Sequence, residues 1–190
     1  MATGGDWWRL VATDDEWVPL FCAQLSLFER MLKAGVPPCL LDIQYRMHPS
    51  LAAFPSDEFY AGKLLTGAQM ALARPQLQGF AWPRPTIHVA LLPSTAVEAS
   101  GGGGTSKSNL GEASMAVAVV RSFLAAGELS ARQIGVVTPY AAQVRLLRQQ
   151  LGALPDGRQI ECLSVDGFQG REKELIVFSA VRAGTRTPAE

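Results

Sequence analysis

With 190 residues, 48% of them hydrophobic, the chain is long enough for one α/β domain with a substantial core, or for one domain and a ragged end. Its 17 basic and 17 acidic residues cancel, so it carries no global electrostatic footprint for nucleic acid, and any such binding belongs to a local face. Cys22, Cys39 and Cys162 lie far apart without a Cys-x-x-Cys spacing, which supports neither a disulfide framework nor a zinc site, and no apolar run reaches the ~18 residues of a membrane span.

The three cysteines read as small buried residues in a reducing compartment. Residues 1 to 6 lack the basic region and apolar stretch of a secretory signal, so a cytoplasmic or nuclear protein is expected. Residues 1–24 scatter Trp7, Trp8, Trp17, Leu20 and Phe21 among Gly, Asp and Pro19 without a period, and no structure is assigned to them. From Ser26, the recurrence of Leu27, Phe28, Met31 and Leu32 at helical spacing predicts an amphipathic helix closed by Gly35 and Pro37. Cys39 to Ile43 reads as a short strand.

At its end stands Gln44-Tyr45-Arg46-Met47-His48-Pro49. Pro49 biases His48 away from helix and places this polar cluster in a turn. Taken by themselves, Tyr45 is a half-buried ring and Arg46 the partner of a nearby carboxylate. Leu51 to Phe54 is expected as a short helix, Pro55 to Tyr60 as a turn and Lys63 to Leu65 as a small docking element. Residues 66 to 85, rich in Pro and Gly, form an irregular connection in which Trp82 pins the loop to the core. Thr86 to Leu92 alternates like a strand and contains His88; with His48 the only other histidine, no cluster for metal or triad chemistry exists. Gly101 to Gly104 implies flexibility before a phosphate cradle.

Asn109-Leu-Gly-Glu112 has the form of a capping box. It opens a helix to Ala126 with Met115, Val119, Val120, Phe123 and Leu124 inward, ended by Gly127. Ile134 to Thr138 is a buried-type strand running into Pro139-Tyr140. Ala141 to Leu151 follows as a helix with Val144, Leu147 and Leu151 inward. Two further strands, Ile160 to Val165 and Leu175 to Val181, flank a polar, glycine-punctuated loop. In that loop Gly167 and Gly170 permit close backbone approach, and Asp166, Gln169, Arg171 and Glu172 offer donors, acceptors and both charges, a composition suited to a phosphorylated ligand. The element order predicts an α/β fold, a parallel sheet covered by helices on both faces, with ligand loops at the carboxyl ends of the strands.

Val165-Asp-Gly-Phe-Gln-Gly-Arg-Glu-Lys173 with its following strand and Val181-Arg182, the Gln44-Tyr-Arg-Met-His-Pro49 turn, and the strand–Thr138-Pro139-Tyr140–helix unit together resemble the signatures of superfamily 1 helicases. The resemblance is nearest to the group that includes the RNA helicase of nonsense-mediated decay, and it covers roughly residues 25 to 184. It implies a RecA-like sheet of the P-loop NTPase kind, the carboxyl-terminal motor domain of an ATP-dependent RNA or DNA helicase. The domain runs over residues 25–184 between an irregular segment, 1–24, and a tail, 185–190. By resemblance, Arg46 is the transition-state arginine, Tyr45 the adenine platform, and Gly170 with Glu172 the nucleotide loop and ribose contact. Thr138, Pro139, Tyr140 and Ser164 are the contacts to a single strand of RNA or DNA. The chemistry is apt: an aromatic face binds a base without reading it, and a guanidinium fork neutralises developing phosphate charge. Without the resemblance, Thr138 to Tyr140 is equally a tight strand-to-helix turn.

The chain has no P-loop of its own. Its single Gly-Lys pair, Gly62-Lys63, has Asp57 where the first glycine belongs and Leu64 where a hydroxyl belongs. Asp15-Glu16 and Asp57-Glu58 do not follow apolar strands as a Mg2+-binding pair would, and the family's last arginine motif would lie beyond Arg182. ATP is therefore expected to be shared with a P-loop-bearing first RecA-like domain that also holds Mg2+, leaving this chain inactive alone. The alternative is a non-catalytic module from a truncated helicase that binds nucleic acid or a protein.

Overall fold

The computed structural model describes residues 25–68, 75–100 and 106–182. The segment 1–24, the run Gly101 to Gly104 and the tail 185–190 lie outside them. The chain forms two units, one ending at Asp42 and one beginning at Ile43.

In the first unit, α1 (Leu27–Lys33) opens on a capping box: the Ser26 hydroxyl accepts the Glu29 N–H at 3.2 Å, and the Glu29 carboxylate accepts the Ser26 N–H at 3.0 Å. These bonds, the backbone one foremost, hold the Glu29 carboxyl below its ordinary pKa. The apolar stripe read from the sequence is present, but Leu27, Phe28, Met31 and Leu32 are all exposed. Periodicity marks a face that can be buried; it does not supply the surface that buries it. Cys39 is exposed rather than buried, and the strand expected from it begins only at Ile43.

The second unit starts with β1 (Ile43–Gln44) paired in parallel with β2 (Leu65–Thr66) across α2 (Pro49–Tyr60). The helix is longer than the sequence suggested. His48 caps it by accepting the Ser50 N–H, Pro49 fills its first position, and the chain continues helical through Pro55 to left-handed Ala61. Thr86 to Leu92 forms no strand; Val89 and Leu91 are exposed. Its alternation describes an extended chain, but a ladder needs a neighbour. A two-residue antiparallel pair, β3 (Ala99–Ser100) with β4 (Lys107–Ser108), precedes the main layer.

That layer is a parallel sheet in the order β6 (Glu161–Ser164), β5 (Ile134–Thr138), β7 (Leu175–Phe178). Ile134 and Val136 of β5 face α3 (Leu110–Ala126) and α4 (Ala141–Leu151), where Val120, Phe123, Leu147 and Leu151 complete the core. Gly135 points to the other side. A Cβ there would stand 2.8 Å from Phe168 Cζ, so the absence of a side chain lets the Phe168 ring lie on the sheet. Phe168 closes a 3-10 turn (Asp166–Phe168), and helical structure thus covers both sides of a parallel sheet, the RecA-like class expected from the sequence.

Candidate nucleotide and nucleic-acid site

One side chain shapes the Tyr-Arg turn. Gln44 Oε1 accepts the N–H groups of Arg46 and Met47 at 2.9 and 2.7 Å, while Gln44 Nε2 donates to Met47 O and to Thr66 Oγ1 on β2. Two of the turn's backbone donors are thus satisfied by a side chain, and Tyr45 and Arg46 are left exposed. Tyr45, 66% exposed, lies over Gly67: a Cβ at Gly67 would come 2.5 Å from the ring. One ring face rests on backbone and the ring remains largely open to solvent.

The glycine-punctuated loop is fastened at three places. Ser164 Oγ accepts the Gly167 N–H at 3.2 Å, Phe168 sits on Gly135, and Lys173 donates to Arg132 O at 2.6 Å. Arg171 and Lys173 both reach Glu161, at 3.2 and 3.5 Å. Gly170 has φ 75°, the left-handed conformation that glycine adopts without penalty, and it directs the chain so that Glu172 faces the Tyr-Arg turn. There Arg46 Nε donates to Glu172 Oε2 at 2.7 Å. Two sequence signatures 126 residues apart are in direct contact.

Both partners of that ion pair are largely exposed, at 62% and 67%, so it contributes about 0–1 kcal/mol to stability. It is easily exchanged for another anion on the arginine and another donor on the carboxylate.

Thr138 and Ser164 are register partners across β5 and β6, at the carboxyl ends of both strands. Thr138 is fully buried, and its hydroxyl has no hydrogen-bond partner among the described residues. Pro139 is exposed and Tyr140 half-buried as the residue that caps α4. The Ala142 N–H in the first turn of α4 donates to Ser106 Oγ, so part of the helix N-terminus is already occupied. Ser164 spends its hydroxyl as an acceptor inside the loop.

Sequence reasoning missed a buried polar network beside this strand end. Gln143 Oε1 accepts the Asn109 N–H at 2.8 Å, and Gln143 Nε2 donates to Asn109 O and Ser179 Oγ. Asn109 caps α3 by accepting the Glu112 N–H at 3.0 Å, as expected. The reciprocal half of the box is absent: Glu112 Oε2 accepts instead from Ser179 Oγ at 2.7 Å and from the Val181 N–H at 2.8 Å. Asn109 Nδ2 also donates to Val181 O at 3.0 Å. Val181 has φ 69°, a conformation that costs a β-branched residue about 1–3 kcal/mol. The legible signal was Gln143, a polar residue among the inward positions of α4.

The sequence profile described as an AAA domain matches residues 23–189. The regulator of nonsense transcripts 1 homolog of Drosophila melanogaster is 42% identical over 166 residues, covering 85% of this chain and 14% of that protein. The ATP-dependent helicase upf1 of Schizosaccharomyces pombe is 37% identical over 171 residues, covering 87% of this chain and 18% of its own length. ATP-dependent helicase NAM7 of Saccharomyces cerevisiae is 37% identical over 163 residues, with 83% and 17% covered. The chain thus spans less than a fifth of each of these three relatives.

Proposed function

The chain belongs to the AAA domain family, and from that membership we propose that residues 25–184 are the carboxyl-terminal RecA-like motor domain of an ATP-dependent RNA or DNA helicase of superfamily 1. The observation that carries the reading is the 2.7 Å contact between Arg46 and Glu172, because it assembles a guanidinium, a carboxylate and the exposed Tyr45 turn beside the amino-terminal end of β7, not at the carboxyl ends of the strands where the ligand loops were expected. In this reading Tyr45 stacks on the adenine, Glu172 accepts from the ribose hydroxyls and the Gly170 backbone approaches the nucleotide. Arg46 places its guanidinium against phosphate oxygens as charge develops there.

Pro139, Tyr140 and Ser164 line the path of a single strand, and closure of two motor domains over ATP moves that strand. Thr138, expected to share that contact, is fully buried and supports the turn from beneath. Among the described residues no group of three or more His, Cys, Asp or Glu is placed to hold a metal ion. We assign Mg2+, which would neutralise phosphate charge, to the P-loop-bearing first domain, and the present chain is then inactive alone. No helix of the described residues is long and apolar enough to cross a membrane. A cytoplasmic location, with the nucleus second, belongs to the same proposal.

The test is Arg46→Ala in the complete two-domain protein. Removing a transition-state arginine is expected to lower ATP turnover by about three to five powers of ten, with nucleotide affinity nearly unchanged. Unaltered turnover would remove Arg46 from the mechanism.

A further inference from the structure

Just beyond β7 the backbone makes a sharp turn. Arg182 N donates to Ala180 O at 2.8 Å, closing a three-residue γ-turn around Val181, whose φ is 69°. The positive-φ γ-turn is the rare, strained form, and a buried β-branched residue is a poor occupant of it. Such strain persists only where the surroundings over-determine it, and here they do: Glu112 Oε2 takes the Val181 N–H and Asn109 Nδ2 takes the Val181 carbonyl. The two side chains come from the N-cap and the first turn of α3, and Gln143 locks Asn109 from α4 through bonds in both directions.

The next residue is what this clamp controls. Arg182 lies 3.5 Å from Glu98, with 46% of its own side chain exposed, and near enough to Tyr140 that this side chain is the foremost influence raising its pKa. Tyr140 belongs to the turn where the proposed strand contacts gather.

We propose that Asn109 and Glu112 are positioning residues that hold the Val181 γ-turn, and that this turn aims the Arg182 guanidinium at a phosphate of single-stranded nucleic acid passing Tyr140. The inference rests on the motor-domain reading given above. Glu98 is the resting partner of Arg182, displaced when a phosphate arrives.

The test is fluorescence anisotropy of this chain with a labelled oligouridylate and the matching oligothymidylate across a salt series. Arg182→Ala is expected to weaken both about three- to tenfold and to make the slope of log affinity against log salt shallower by about 0.7, the mark of one lost phosphate contact on a single strand. Glu98→Gln, which frees Arg182, is expected to tighten binding. Glu112→Ala is expected to weaken binding as Arg182→Ala does, and the two together no further than either. Glu112→Gln, which keeps an acceptor for the Val181 N–H, restores binding, and far-UV circular dichroism checks that each variant folds.

An unchanged affinity and salt slope for Arg182→Ala would overturn the inference while leaving the motor domain standing. Weakening of the RNA alone would overturn the phosphate assignment in favour of a 2'-hydroxyl. Failure of the unmodified chain to bind either oligomer would overturn the strand-contact reading itself, and this assignment with it.

Discussion

Residues 110–182 and residues 43–100 make an instructive contrast. In the former, Ile134, Val136, Leu147 and Leu151 are essentially inaccessible, and two helices close over three strands. Among the described residues of the latter only Ala52, Ser56 and Gly67 are buried, while Phe54, Phe59 and Leu91 stand 69%, 71% and 90% exposed. Yet Tyr45 and Arg46 belong to the thinly cored part and Gly170 and Glu172 to the densely cored one. Stability resides in one region, and the candidate site requires both.

The contrast is most sharply tested in the core. Leu147→Ala removes a fully buried side chain from α4 and is expected to lower the unfolding free energy by about 2–5 kcal/mol in urea denaturation. A loss below 1 kcal/mol would show that the core carries less than its burial implies. Gly135→Val comes next: a branched side chain would strike Phe168, Ile176 and Lys173, costing about 1–3 kcal/mol and displacing the glycine loop. In a protein that joins this chain to a P-loop-bearing domain, weakened nucleotide binding should accompany that cost.

A third effect is pH-dependent. Burial pushes the Cys162 thiol up to about 11 from 9.0. Between those values the unfolded chain has lost the proton that the folded one keeps, so stability falls as pH rises from 9.0 to about 11. Cys162→Ala should remove that part of the decline when the two proteins are compared over the same range. The smallest effect belongs to the other region. Phe59→Ser replaces an exposed ring on α2 and should shift stability by no more than about 0.5 kcal/mol, with a larger loss revealing a covering surface.

The sequence was most readable where one residue type answers one local need. Gly170 at positive φ, the Asn109 cap, the Gly127 stop and the buried β5 strand follow from short-range rules, and all are present. It was least readable where the answer depends on a distant partner. Glu112 has the spacing of a capping box, but Ser179 and Val181, 67 and 69 positions away, supply better-placed donors. Leu27 and Phe28 keep helical spacing without burial, and Ile87, Val89 and Leu91 alternate without a strand to pair with. For the site, composition marked the glycine loop as ligand-facing, while the Tyr45–Arg46 turn was marked only by the family resemblance. That they meet through Arg46 and Glu172 required the fold.

The bonding of Gln44 bears on how fast Arg46 can change partners. Because Gln44 holds the Arg46 and Met47 amide hydrogens, the turn's backbone is stiff even though little core lies beneath it. Transfer of the guanidinium from Glu172 to another anion then needs only rotation about side-chain bonds, a picosecond-to-nanosecond event, with no loop opening. Amide hydrogen exchange at Arg46 and Met47 should accordingly be slower than at exposed neighbours, and Gln44→Ala should abolish the difference.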